Sequence, residues 1–361
     1  MDRTRGFSLG FSSAALFGAA TPVSKQLLGD IPPLVLAGLL YLGAALALLP
    51  AVLRTRGSSS IPKDRTNRLR LSGAVFFGGI VGPVLLLLGL QLSLSASVAM
   101  LLSLETVATA LLAFFFFREH LGRWTITASV GVVLASALLA FVGGRPSLLG
   151  ALLVAGACVA WGLDNNLTAL IDGITPTEST FWKGLTAGIV NLSLGLLLGA
   201  GPLGSAWLWA LVVGGLSYGV SITLYIHSAQ ILGATRSQMV FACAPVFGVA
   251  GSVLWLGEGM SSLQVTAALL LAVALTLLFL ERHEHAHVHE ALEHVHSHRH
   301  DDGHHDHAHA DLPAEVRHSH LHRHERVEHS HPHWPDLHHR HEHDPEDPQH
   351  DGHAHEEHAH S

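Results

Sequence analysis

Cysteine is almost missing from this chain. Its 361 residues include two, Cys158 and Cys243, each inside an apolar stretch and without C-x-x-C spacing. That excludes a disulfide framework, a dithiol redox centre and a thiolate zinc site, and leaves both as packing residues. Charge is scarce as well, at 13% of residues, and is unevenly spread. Residues 1–280 carry 14 Lys plus Arg against 9 Asp plus Glu, whereas residues 281–361 carry 6 against 19. Histidine is nearly absent from the first part, which has only His120 and His227, and the tail holds the other 28. The one basic cluster, Arg54, Arg56, Lys63, Arg65, Arg68 and Arg70, lies in a connector between apolar stretches and reads as a topology signal, so nucleic acid is not an expected partner. No nucleophile with its base, phosphate loop or closed metal site is visible, which argues against an enzyme.

What the chain has instead is long apolar runs. A membrane-spanning helix needs about 20 mostly apolar residues. Ten stretches meet that length: 7–28, 32–53, 71–90, 96–117, 124–142, 147–170, 179–200, 205–226, 234–256 and 262–281. The first continues past the usual length of a signal peptide's apolar region and is expected to be retained. Lysine and arginine concentrate on one set of connectors, which predicts an inner-membrane protein with both termini in the cytoplasm.

The second half repeats the first. Trp161-Gly162 aligns with Phe17-Gly18, Asn165-Asn166 with Thr21-Pro22, Gly173 with Gly29 and Pro176 with Pro32, an offset of 144. From residue 90 onward an offset of 139 aligns Gln91 with Gln230, Met100 with Met239, Thr106-Val107 with Pro245-Val246 and Glu119 with Glu258. Five spans per copy is an odd number, so the two copies are expected to insert with opposite orientation. Interrupted, polar-striped segments at matching positions of two such halves point to a transport site.

These residues carry a family resemblance. Residues 7–281 resemble the ten-helix drug/metabolite transporter superfamily, specifically proteins with two EamA-type repeats. The matching features are Gly18-Ala-Ala-Thr-Pro-Val-Ser-Lys25, Leu104-Glu-Thr-Val107 where the family often reads L-E-P-V, Ala244-Pro-Val246, and the glutamates of Arg118-Glu-His120 and Gly257-Glu-Gly259. Thr106 departs from the family's proline, so a weakened kink is expected in the fourth span. The resemblance implies an all-α membrane protein with repeats over 7–142 and 147–281, and secondary transport of small metabolites or drugs, often by export.

The candidate cavity residues are the few polar ones at span depth. Lys25, on the helical stripe of Gly18 and Thr21, either snorkels to the interface or faces a cavity. Asp164, Asn165 and Thr168 make the sixth span polar over a wide arc, where a carboxylate could hold a proton, a cation or a substrate amine. Glu105 sits in mid-span with Thr109 one turn on. Tyr218 and Tyr225 form a stripe on the eighth span. Glu258 reads as a helix-end group and Lys183 as a topology or interface residue. Gly78 and Gly82 predict close packing of the third span, and Pro83 predicts a kink there.

In the tail, residues 282–361, histidines alternate with other residues at His283, His285, His287, His289, His294, His296, His298 and His300, and again at 318–324 and 329–333. The segment has no core's worth of aliphatic residues and is expected to be disordered. Neutral imidazole suits Zn, Ni, Co and Cu, so exchangeable divalent metals are expected at the tail, with no cofactor required by the rest. The expected partners are the lipid bilayer, a small-molecule substrate and, at the oligomer level, a second copy as a homodimer. Three functions follow in order: a metabolite or drug exporter with a metal-binding tail, a divalent-metal exporter, and a membrane-anchored metal buffer or sensor.

Overall fold

A computed structural model describes residues 2–54, 61–62, 64–117, 123–140, 145–171, 174–199, 204–232 and 240–278, together with four backbone strands beyond them. The helices are α1 (Asp2–Leu27), α2 (Pro33–Arg54), α3 (Arg65–Ala74), α4 (Gly82–Leu92), α5 (Ser95–Leu101), α6 (Leu104–Phe117), α7 (Arg123–Ala140), α8 (Arg145–Ala169), α9 (Pro176–Leu197), α10 (Ala206–Gly214), α11 (Ser221–Leu232), α12 (Ala244–Leu256) and α13 (Ser262–Leu278). Two π-helical segments, Val75–Val81 and Gly215–Val220, join α3 to α4 and α10 to α11. Among the described residues, six helical stretches are long and apolar enough to cross a membrane: Pro33–Arg54, Arg65–Leu92, Ser95–Phe116, Arg123–Ala140, Leu148–Ala169 and Ala206–Ser228. Leu254, Leu197 and Phe115 stand 85%, 83% and 71% exposed, a distribution that suits lipid and not water.

Local chemistry sets where several helices begin. Asp64 accepts the backbone N–H of Asn67 at 2.7 Å and caps α3, and that bond holds its carboxyl below the usual carboxylate range. Thr175-x-x-Glu178 forms a capping box ahead of α9, with Thr175 N donating to Glu178 Oε2 at 2.8 Å. Ser261-x-x-Gln264 does the same at α13, Ser261 N donating to Gln264 Oε1 at 2.8 Å. Gly257 closes α12 in the left-handed region at φ 66°, a conformation that costs glycine no steric penalty.

The packing pairs elements of the two halves. α2 lies along α9 and α7 along α13, while α1 packs on α11 and α12 as α8 packs on α4 and α6. Buried hydroxyls bind these contacts: Ser13 donates to Ser221 O at 2.7 Å, Ser228 to Gly6 O at 2.9 Å, and Ser252 to Ser95 Oγ at 2.9 Å. A side chain at Gly18 would strike the Ala244 carbonyl, with Phe247 Cβ 2.9 Å away, so α1 approaches α12 closely only because position 18 has none.

Two expectations change. The fourth span is interrupted by a two-residue turn between α5 and α6 despite lacking the proline, where Thr106 Oγ1 donates to Ser103 O at 2.7 Å and Ser103 N turns back to Met100 O at 3.1 Å. The third span answers Pro83 with a π segment. Beyond the helices, backbone strands β1 (His283–His289), β2 (Leu292–His298), β3 (His318–His324) and β4 (Val327–His333) pair β1 antiparallel to β4 and β2 to β3. Glu119 and His300 lie outside the described residues.

Gly18→Ala is expected to lower the thermal unfolding midpoint of the purified protein, the overpacking costing about 1–3 kcal/mol. An unchanged midpoint would show that α1 and α12 are not held this closely.

Candidate functional site

The site grows from a backbone defect. Proline has no N–H, so Pro83 cannot bond back into its helix. In the π segment the N–H of Gly82 reaches Phe77 O, five residues back, and the next carbonyl, Gly78 O, would belong to residue 83. Two side chains take it instead: Tyr41 Oη from α2 at 2.6 Å and Trp161 Nε1 from α8 at 2.9 Å. Asn191 Nδ2 from α9 serves Gly79 O at 3.2 Å. The missing side chain at Gly78 also matters, since a Cβ there would overlap the Asp164 carboxylate.

Asp164 therefore sits against the opened helix, 5% exposed, and its charge needs a partner. Lys183 from α9 supplies it, Nζ standing 2.6 Å from Oδ1 and from Oδ2, while Thr168 Oγ1 donates to Oδ1 at 2.9 Å. One residue on, Asn165 Nδ2 donates to Glu105 Oε1 at 2.9 Å and to Thr109 Oγ1 at 3.2 Å. Asn166 Nδ2 ties α8 to Thr109 O at 3.1 Å. Glu105, Asn165, Asp164, Thr168 and Lys183 thus form a polar band over α6, α8 and α9. Among the described residues, no basic side chain bonds Glu105.

Beside this band lies a narrow recess of about 10 Å³, room for about one water, lined by Phe17, Thr21, Ser24, Leu102, Trp161 and Tyr218 among others. Both halves contribute. The recess is the head of an aromatic file: Tyr41 to Tyr218 at 5.7 Å, Tyr218 to Phe17 at 5.8 Å, Phe17 to Phe241 at 5.3 Å and Phe241 to Tyr225 at 5.2 Å between ring centroids. All three tyrosines of the chain stand in it. Trp161 belongs to both features, lining the recess and holding Gly78 O.

Lys25 is elsewhere. Its Nζ donates to Leu90 O at 2.6 Å, Ser93 O at 2.9 Å and Gln91 O at 3.3 Å, the orphan carbonyls ending α4, where a cation meets the negative end of the helix. Glu258 answers at the next helix start, accepting Ser95 N and Ala96 N at 2.8 Å each. One corner, residues 92–95, is held by a cation from the first half and an anion from the second. Of the residues expected at a cavity, Thr21 and Tyr218 line the recess, Glu105, Asp164, Asn165 and Thr168 form the band, Tyr225 ends the aromatic file, and Lys25 holds the corner. Lys183, Tyr41 and Phe17 escaped the sequence reading as site groups; the signal for Lys183 was a lone cation near a span end with a lone carboxylate in the span before it.

Apolar helices closed around an aromatic and ionic centre fit a multi-pass membrane protein. The family model of the EamA-like transporter family matches residues 4–141 and again 148–280, and the chain belongs to that family, membrane transporters of the drug/metabolite type. No curated protein matches the sequence. A protein of known crystal structure shares the fold with a TM-score of 0.56 at 19% identity, over 76% of this chain and 96% of its own.

Lys183→Met leaves a buried carboxylate unpaired and is expected to cost about 3–5 kcal/mol of stability, most of it recovered in Asp164→Asn/Lys183→Met. A double-mutant cycle on thermal unfolding, with Asp164→Asn as the other single variant, checks this; a double-variant loss equal to the sum of the two single losses would show that the pair is not coupled. Lys25→Met is expected to lower the unfolding midpoint without changing substrate affinity, and a changed affinity would return Lys25 to the cavity.

Proposed function

We propose that the protein is a secondary transporter of the cytoplasmic membrane that exports small metabolites or drugs by alternating access. Ten spans in two oppositely inserted repeats surround the recess, with both termini in the cytoplasm and a tail that binds Zn, Ni, Co or Cu. The observation that carries the reading is the juxtaposition of the recess, lined from both halves, with the Glu105–Asn165–Asp164–Lys183 band. An aromatic wall receives a ring or apolar chain, and a band holding both signs of charge receives polar ends. The substrate class this fits is a small molecule that is apolar at one end and charged at the other. Glu105, with a neutral amide as its bonded partner, is the group assigned to carry a proton or meet a substrate cation.

The reciprocal packing supports the inverted architecture. Exchanging the halves carries the α1 contact with α11 and α12 onto the α8 contact with α4 and α6. Matching contacts of this kind let one central site open to either side as the halves trade shapes.

Flux tests the reading. In proteoliposomes loaded with a panel of labelled amino acids and small aromatic amines, the parent protein is expected to move at least one compound. Glu105→Gln and Trp161→Phe are expected to slow that movement tenfold or more while the protein remains monodisperse. Removal of residues 283–361 is expected to leave it unchanged. Parent-like rates in both point variants would remove the recess and band from the permeation route.

A further inference from the structure

The helix that opens the third span, α3, is two-faced. It packs on α8 and α9, and its buried positions Asn67, Leu71 and Ala74 recur at helical spacing. Arg70 belongs to this inner side: its Nη1 donates to Leu170 O, just past α8, at 2.6 Å and to Asn67 Oδ1 at 2.9 Å. The opposite face is exposed at the same spacing and consists of Arg65, Arg68, Leu69, Ser72 and, in the π segment, Phe76. Leu69 and Phe76 stand 62% and 50% exposed, as side chains that meet acyl chains do. Beside them, neither Arg65 nor Arg68 forms an ion pair among the described residues. The adjacent Asp64 spends its carboxylate on Asn67 N and Nδ2 at 2.7 and 2.9 Å, and Arg68 Nε reaches only the Asp64 backbone oxygen at 3.4 Å. A topology signal requires these arginines to stay on one side of the membrane. It does not require two of them to stand free on the lipid-facing stripe while a third is bound inward.

We infer that this stripe binds an anionic phospholipid, with the Arg65 and Arg68 guanidinium groups on its phosphate and its acyl chains along Leu69 and Phe76. The depth fits. At a rise of about 1.5 Å per residue, Arg68 and Arg65 lie about 1.5 and 6 Å beyond Leu69 along the helix. The polar layer of one leaflet is about 5–8 Å thick, so with Leu69 at the hydrocarbon edge both groups stand among the headgroups. Planar guanidinium forks match phosphate oxygens bidentately. An anionic lipid suits two arginines better than a zwitterionic one, whose own cation would meet them as well. In the orientation proposed above this is the cytoplasmic leaflet, although the binding itself does not rest on the transport reading. α3 runs straight into the π segment that carries Gly78, against which Asp164 is seated. A headgroup held at Arg65 and Arg68 fixes the outer end of the span on which the polar band is built.

Native mass spectrometry of the full-length protein in detergent tests the site, with phosphatidylglycerol, phosphatidylcholine and inorganic phosphate as probes. At about 1 kcal/mol per arginine near a membrane surface, the parent is expected to hold phosphatidylglycerol roughly 30-fold more tightly than phosphatidylcholine. Arg65→Gln/Arg68→Gln is expected to abolish that preference. Because this variant keeps the Asp64 cap and the Arg70 bonds, its unfolding midpoint without lipid is expected at the parent value. Arg5→Gln/Arg123→Gln, which removes equal charge from exposed positions on α1 and α7, is expected to keep the preference. Inorganic phosphate in large excess is expected to leave phosphatidylglycerol bound. A retained preference in the Arg65/Arg68 variant, or an equal loss in the Arg5/Arg123 variant, would reduce the effect to general charge attraction and overturn the site. Displacement by free phosphate would overturn the lipid as its occupant. Binding is read here without flux, so its failure and a failure of the transport reading are separate results.

Discussion

Everything at the centre of this protein follows from one carbonyl with no hydrogen of its own. Hydrocarbon supplies no water, so each main-chain polar group at span depth must find a partner in the protein. Pro83 withholds the N–H that Gly78 O would take, and Tyr41 and Trp161 donate in its place. Those two bonds fasten the third span to α2 and α8. Because position 78 has no side chain, Asp164 fits against the opened turn, and because Asp164 is buried, Lys183 must come to it. The ion pair is the far end of a sequence of requirements that begins with a proline.

The second half reaches a matching shape by other means. Its π segment, Gly215–Val220, contains no proline. There the fit against α2 dominates: a side chain at Gly214 would strike Leu40 O, and one at Gly219 would press on Ala47 and Ala44. The paired breaks tell the same story. α12 begins with Pro245 in its first turn, whereas α6 begins with a threonine hydroxyl bonded to the carbonyl of Ser103. In the proposed cycle these four joints are where the spans bend, and π segments are frequent at such functional places.

Polar groups divide by what they neutralise. Lys25 and Glu258 neutralise helix ends at one corner, while Lys183 neutralises a side chain at the centre. Both lysines sit near the end of an apolar helix, so their local sequences look alike. Only the neighbour decides the role, α4's terminal carbonyls for one and Asp164 for the other. Glu105 and Asn165 were legible as candidate site residues because uncompensated polarity in an apolar run is costly wherever it lies. Their pairing was not, since 60 residues separate them.

The sequence alone determined the membrane class, the repeat and the polar inventory, because apolar length, offset and charge placement are properties of the chain read in one dimension. It also determined the tail's two-residue histidine period. The tertiary structure decided how the third and fourth spans break, which lysine meets Asp164, and that the three tyrosines fall into one file. Each of these depends on which segments become neighbours, and a hydrogen bond or ion pair acts only over a few ångströms in space, whatever the distance along the chain.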